Sequence, residues 1–160
     1  MSTFNGLPAH ILLVHFIVVL APLTAVLAIL CALWPAARQR LVWLVLTLSV
    51  FVAVLTPLTT DAGEWLEDRV GRSPLLHNHT ELGDTMIYYA VALFVAALLL
   101  VVVHMRATRG RAVPTAVSIV AAVLVVGASA ATVVQVYRIG DSGAKATWGQ
   151  IAQTPSPNAG

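Results

Sequence analysis

The sequence predicts an all-α protein: an antiparallel four-helix transmembrane bundle with a short interfacial helix between spans 2 and 3. Hydrophobic residues make up 59% of the 160 positions and charged residues only 10%, whereas a soluble domain carries about 25% charged residues. Four apolar runs, 11–33, 41–58, 86–103 and 114–136, approach or exceed the roughly 20 residues that cross a bilayer. The charges are also segregated along the chain. Connections 34–40 and 104–113 carry Arg38, Arg40, Arg106, Arg109 and Arg111 and no acid, so with four spans all seven acidic residues fall on the opposite side. Lys and Arg concentrate in cytoplasmic loops. The pattern therefore predicts both termini and the long 59–85 connection outside.

The first run has no Lys or Arg before it; Arg38 follows the span. A cleaved secretory signal needs a positive leading region, so this run is expected to be retained as span one. Cys31 is the single cysteine, which rules out an intrachain disulfide. Within an apolar run it reads as a small packing residue. The second run, at 18 residues no longer than the third, is expected to stand nearly upright. After it, Asp61-Ala-Gly-Glu64 has capping-box spacing, and Gly71 is a stop signal. These predict a short helix over about 62–70 at the membrane interface, with Trp65 as its anchor. Ser73-Pro74 and Asn78-His-Thr-Glu81 are both start signals for the helix of span three; the sequence leaves Pro74 and His79 open as its first residue. In span four, Gly127 and Ala131, like Ala128 and Thr132, have the spacing that lets helices approach closely, and packing within the bundle is expected. Two prolines and no apolar run in 150–160 predict a disordered tail. The chain thus divides into a four-span domain, 1–149, and a tail, 150–160.

Chemistry, if any, is expected at the histidines. With helices rising about 1.5 Å per residue through a core of about 30 Å, His10, His15 and His79 fall in one narrow layer at the outer surface. His104 is alone at the other end. An ionisable side chain within a membrane helix marks a functional site by default, and His15, flanked by apolar residues, is the sharpest case. His10 and His15 are five apart and point about 140° away from each other, so each needs a partner from another helix. A b-type haem takes axial imidazoles from facing helices; His79 with His15 or His10 would supply them. The alternative is another metal held by His15, His79 and His10 with Asp61, Glu64, Glu81 or Asp84. The plain alternative is structural: wet interfacial histidines, with His15 bonded to Gln135 or Thr132. Trp65, Trp148 and segment 137–148 are expected to cover the pocket.

Other chemistry finds little support. No phosphate loop, zinc-protease helix or nucleophile motif is present. Gly140-Asp-Ser-Gly143 matches the serine segment of some proteases but stands alone. A net charge of +2 confined to short loops gives no nucleic-acid surface. Stand-alone enzyme activity is not expected.

Gly6-Leu-Pro-Ala-His10, Leu13-Val-His15-Phe16, His79-Thr-Glu-Leu-Gly83-Asp84 and the segment Tyr137–Trp148 together resemble the bacterial membrane family called domain of unknown function 2231, over about residues 6 to 149. The resemblance implies a multi-pass protein of the bacterial inner membrane with histidines at His10, His15 and His79. It also implies association in some members with redox partners such as Rieske or cytochrome c domains. Asp141 stands where the family often has a histidine, which weakens a ligand role for the tail. The expectation is a small b-type cytochrome or redox subunit. The alternatives are a metal-binding or transport protein, or a non-catalytic subunit that assembles with a redox protein or with its own copies.

Overall fold

In lipid a backbone must satisfy its own hydrogen bonds, so apolar runs of this length become helices. A computed structural model describes residues 3–4, 7–70 and 73–148. Five helices follow in order: α1 (Ala9–Leu33), α2 (Pro35–Val70), α3 (Pro74–Asp84), α4 (Met86–Thr108) and α5 (Thr115–Trp148). A two-residue antiparallel ladder, β1 (Thr3–Phe4) with β2 (Leu7–Pro8), precedes α1; so short a pairing leaves no periodic signal. Four helical segments have the length and hydropathy to cross a membrane, the third of them running through α3 and α4. Only Trp34 separates α1 from α2, and 109–114 separate α4 from α5, so successive spans run antiparallel. The bundle closes as a ring in the order α1, α2, α4, α5, and α3 lies against α5 and α2.

The expected four-span bundle is therefore present, with a different account of the 59–85 connection. Residues 62–70 are helical, but as the end of the 36-residue α2. Nothing interrupts the helix at Asp61, and Ala62 and Glu67 are buried, so the capping-box spacing caps nothing. The short helix between spans 2 and 3 is α3. Ser73 is its cap, accepting a hydrogen bond from the Leu76 N–H at 3.2 Å, and Pro74 occupies its first turn. Of the two start signals, Asn78–Glu81 lies inside α3.

Helices α2 and α5, of 36 and 34 residues, are each about 50 Å long at 1.5 Å per residue. Both exceed an apolar core of about 30 Å. Their excess lies beyond 58 and 136, at the acidic end, where they clasp α3 above the spans.

Small residues take up much of the interior: Ala21, Ala25, Ala28, Ala90, Ala97 and Cys31 are fully buried, alongside Val42, Val45, Val52, Leu93 and Val125. Large side chains such as Phe16, Trp43, Phe51 and Val123 point outward, the inverse of a water-soluble bundle. Close approach of backbones through small residues is how helices associate where no hydrophobic drive exists. The pair Ala128 and Thr132 faces inward as expected, but Gly127 and Ala131 are exposed, so their spacing serves no packing within the chain. Exposed Trp34 and Trp43 lie toward one end and Tyr88 and Tyr137 toward the other, where aromatic belts of membrane-spanning proteins lie. The tail expected over 150–160, and with it the boundary at 149, lies outside the described residues.

Candidate site: a histidine pair at the acidic end

His10 lies in the first turn of α1, and His79 lies in α3, held over the bundle by Ser73 capping and by α5. Their ring centroids are 6.4 Å apart with planes at 84°. His10 Nδ1 is 2.9 Å from the Thr59 carbonyl oxygen on α2. A carbonyl only accepts, so Nδ1 carries the proton and Nε2 keeps its lone pair. His79 Nδ1 is 2.9 Å from Ser142 Oγ on α5. Ser142 gives its own proton to the Ile139 carbonyl at 2.8 Å, so Oγ accepts and His79 Nδ1 is the donor. The network therefore assigns both rings the same tautomer, with two Nε2 lone pairs available.

The seats of both rings depend on glycine. A Cβ at Gly63 would lie 3.0 Å from His10 Nδ1, and one at Gly143 would lie 3.0 Å from His79 Cε1. Beside the rings is a cavity of about 120 Å³ whose walls include Val14, Ile17, Leu66, Leu76, Met86 and Ile139. Burial, and then the adjacent His10 ring, push the His79 imidazole below its ordinary 6.5; the nearby Ile139 backbone carbonyl and the Glu67 carboxylate oppose this. His79 is therefore held toward its neutral, ligand-competent form. Glu67 is also at this cavity, 8% exposed, with Oε1 lacking a hydrogen-bond partner.

The structure thus brings together two of the three expected histidines and separates the third. His15 is exposed, and its Nδ1 bonds to the Ile11 carbonyl of its own helix. The five-residue spacing turns it away from His10, and it does not line the cavity. Its expected structural partners are engaged elsewhere. Gln135 donates to the Leu82 carbonyl and Thr85 Oγ1, and Thr132 donates to the carbonyls of Ala128 and Tyr89. The expected cover also differs. Trp65 stacks with Arg69, whose Cζ is 4.1 Å from the ring, and Trp148 is exposed. Within 137–148, the residues at the site are Ile139, Ser142 and Gly143. Asp141 points away and pairs with Lys145 at 2.7 Å.

Two chemical alternatives are narrowed by this geometry. Ser142 meets Nδ1 of His79 as an acceptor, so the pair is not a nucleophile poised on a base. Among the described residues no three His, Cys, Asp or Glu side chains are grouped around one point, so the expected mixed shell with Asp61, Glu64, Glu81 or Asp84 is not formed. Thr59 and Gly63 are not marked by the sequence, and Ser142 and Gly143 only as part of segment 137–148. The one available signal was small residues in the two segments that overhang the spans.

Neither a curated protein nor a solved structure matches the chain. A family model described as "Predicted membrane protein (DUF2231)" matches residues 6–154, a stretch that contains all four spans and the whole histidine site. The chain belongs to this family of membrane proteins, domain of unknown function 2231.

Proposed function

We propose that this integral membrane protein holds a transition-metal centre between His10 and His79, at the outer face of a bacterial inner membrane. The observation that carries the reading is the shared tautomer: each ring is fixed through Nδ1–H and presents Nε2. Metal-bound histidines are held in the same way, by donation of the other ring N–H to a carbonyl or another acceptor. The two ring centroids are 6.4 Å apart, near enough for both imidazoles to serve one metal centre. Donor count favours haem b as the form of that centre. A haem asks the protein for few ligands, and His10 and His79 would hold it where no cluster of three ligating side chains forms among the described residues. When bound, such a group would supply one-electron chemistry, consistent with a redox subunit that works with a partner protein. The chain's own residues would orient the rings, exclude water with the apolar wall, and keep His79 neutral.

A bare ion such as copper or zinc is the second reading, and cavity size favours it. About 120 Å³ suits an ion with water, whereas a macrocycle needs the several hundred Å³ of a cofactor pocket and hence a parting of α1 from α3. The orientation rests on charge: Arg38, Arg40, Arg106, Arg109 and Arg111 put loops 34–40 and 104–113 in the cytoplasm and both ends of the bundle chain outside.

An absorption spectrum of detergent-purified, haem-supplied protein tests the first reading. A Soret band that disappears in His10→Ala and in His79→Ala but persists in His15→Ala supports it. No band, or one indifferent to both substitutions, removes it. Stoichiometric copper or zinc without haem absorption, lost in the same two variants, would select the second.

A further inference from the structure

At the basic end of the bundle, far from the histidines, a cleft of about 400 Å³ lies between the start of α2, the end of α4 and the start of α5. Arg38 and Arg111 both line it, and local structure sets their places. Arg38 is in the first turn of α2, with its N–H donating to the Trp34 carbonyl at 3.0 Å. Helix α4 ends at Gly110, whose positive φ of 68° lets its N–H return to the Ala107 carbonyl while the Arg111 N–H returns to the Arg106 carbonyl at 3.0 Å. This double closure is a favoured helix stop, and it fixes the backbone of Arg111 beside the cleft. Neither connection at this end carries an acid, so the loops supply no counter-ion for the two guanidinium groups. Arginines on a wet rim need none; a second feature distinguishes this pair. An apolar groove of about 270 Å³ runs between α4 and α5, lined by Leu99, Ala116, Val117, Val120, Ala121 and Leu124. It begins beside the cleft and leads inward. Leu99 is about one turn deeper than Val103 of the cleft wall, and Ala121 about one turn deeper than Ser118. From Ala116 to Leu124 the groove follows about 12 Å of helix, within the roughly 15 Å of apolar core that one leaflet provides.

We propose that cleft and groove together bind one anionic phospholipid from the leaflet at the basic end. Arg38 and Arg111 hold its phosphate headgroup, and one acyl chain lies along the α4–α5 groove. Guanidinium groups suit phosphate oxygens, and basic pockets between membrane helices are habitual sites for anionic headgroups. The juxtaposition selects the occupant. A free phosphate would use the cleft and leave the groove empty. A second copy of the chain would fill the groove but would bring arginines to arginines at an end whose loops have no acid. An anionic lipid satisfies both parts at once. The site lies at the opposite end from the histidine pair and stands whether or not that pair holds a metal.

Native mass spectrometry of the detergent-purified full chain, titrated with dioleoylphosphatidylglycerol or with dioleoylphosphatidylcholine, tests the proposal. The expected result is saturable binding of about one phosphatidylglycerol per chain, at least ~10-fold tighter than phosphatidylcholine and weakened roughly 5-fold by Arg38→Gln and by Arg111→Gln. Arg109→Gln removes the same charge at the same end but outside the cleft, and leaves binding unchanged. Ala116→Trp, which fills the groove at an exposed position, weakens binding with both arginines intact. A large excess of inorganic phosphate does not displace the lipid. Equal binding of the two lipids, an equal loss in Arg109→Gln and the cleft variants, full binding in Ala116→Trp, or displacement by phosphate overturns the proposal. Should Arg38→Gln fail to fold, Arg111→Gln at an exposed position decides alone, and unchanged affinity there overturns the proposal equally.

Discussion

Two glycines set how the histidine rings sit, and that gives the site a sharp test at the residue scale. In a helix interior, Gly→Ala alone stabilises by about 1 kcal/mol. At Gly127, with nothing within 4 Å of the added Cβ, Gly127→Ala should raise the thermal unfolding midpoint. At Gly63 and Gly143 the new methyl would meet an imidazole at 3.0 Å, and overpacking costs about 1–3 kcal/mol. The rings must give by a few tenths of an ångström, which their Nδ1 bonds oppose, so Gly63→Ala and Gly143→Ala should lower the midpoint and weaken binding of the proposed metal at least ~10-fold. The His79 ring carries a second prediction. Its proton affinity is lower in the folded chain than the ordinary 6.5, so the unfolded chain binds more protons as pH falls below that value. The resulting stability is full above pH 6.5 and is lost as pH falls through the folded-state value. His79→Gln should flatten the fall in unfolding midpoint over this acid range; an unchanged slope would show that other groups cause it.

At the scale of elements, the site depends on α3 being held in place. Ser73 accepts from the Leu76 N–H, and such caps contribute about 0.5–2 kcal/mol. Ser73→Ala should speed amide exchange in α3 more than in the spans and should weaken whatever His79 binds. The sequence makes the spans and the Ser73-Pro74 start legible because length, hydropathy and caps are local properties. It does not reveal that α2 runs through Asp61. A capping box marks a helix start only if the preceding residues leave the helix, and Thr59 and Thr60 do not. The choice of His10 over His15 is hidden for a related reason. Both lie at similar depth on α1, and only the positions of α2 and α5 around that helix show that Thr59, Gly63 and Gly143 surround His10 and His79. Depth alone puts three histidines in one layer; the rotation of α1 selects one of its two.

For the whole molecule, charge segregation, long helices and the histidine site coincide at one end. Overhangs of α2 and α5 beyond the apolar core build a small extramembrane platform, and all seven acids lie in it or in α3. The opposite end has only Trp34 and the 109–114 connection between helices. If the acidic end is outside, Asn78→Cys should react with a membrane-impermeant maleimide in intact cells. Arg109→Cys should react only after permeabilisation, and the reverse pattern would invert the orientation. The central claim is that His10 and His79 together hold a metal centre. Elemental analysis of the purified chain, supplied with haem and metal ions during expression, tests it most directly because it counts haem iron and bare ions alike. The account predicts about one transition-metal atom per chain in the wild type and in His15→Ala, and its loss in His10→Ala and in His79→Ala. A wild-type chain without stoichiometric metal, or a metal content indifferent to both substitutions, would contradict it.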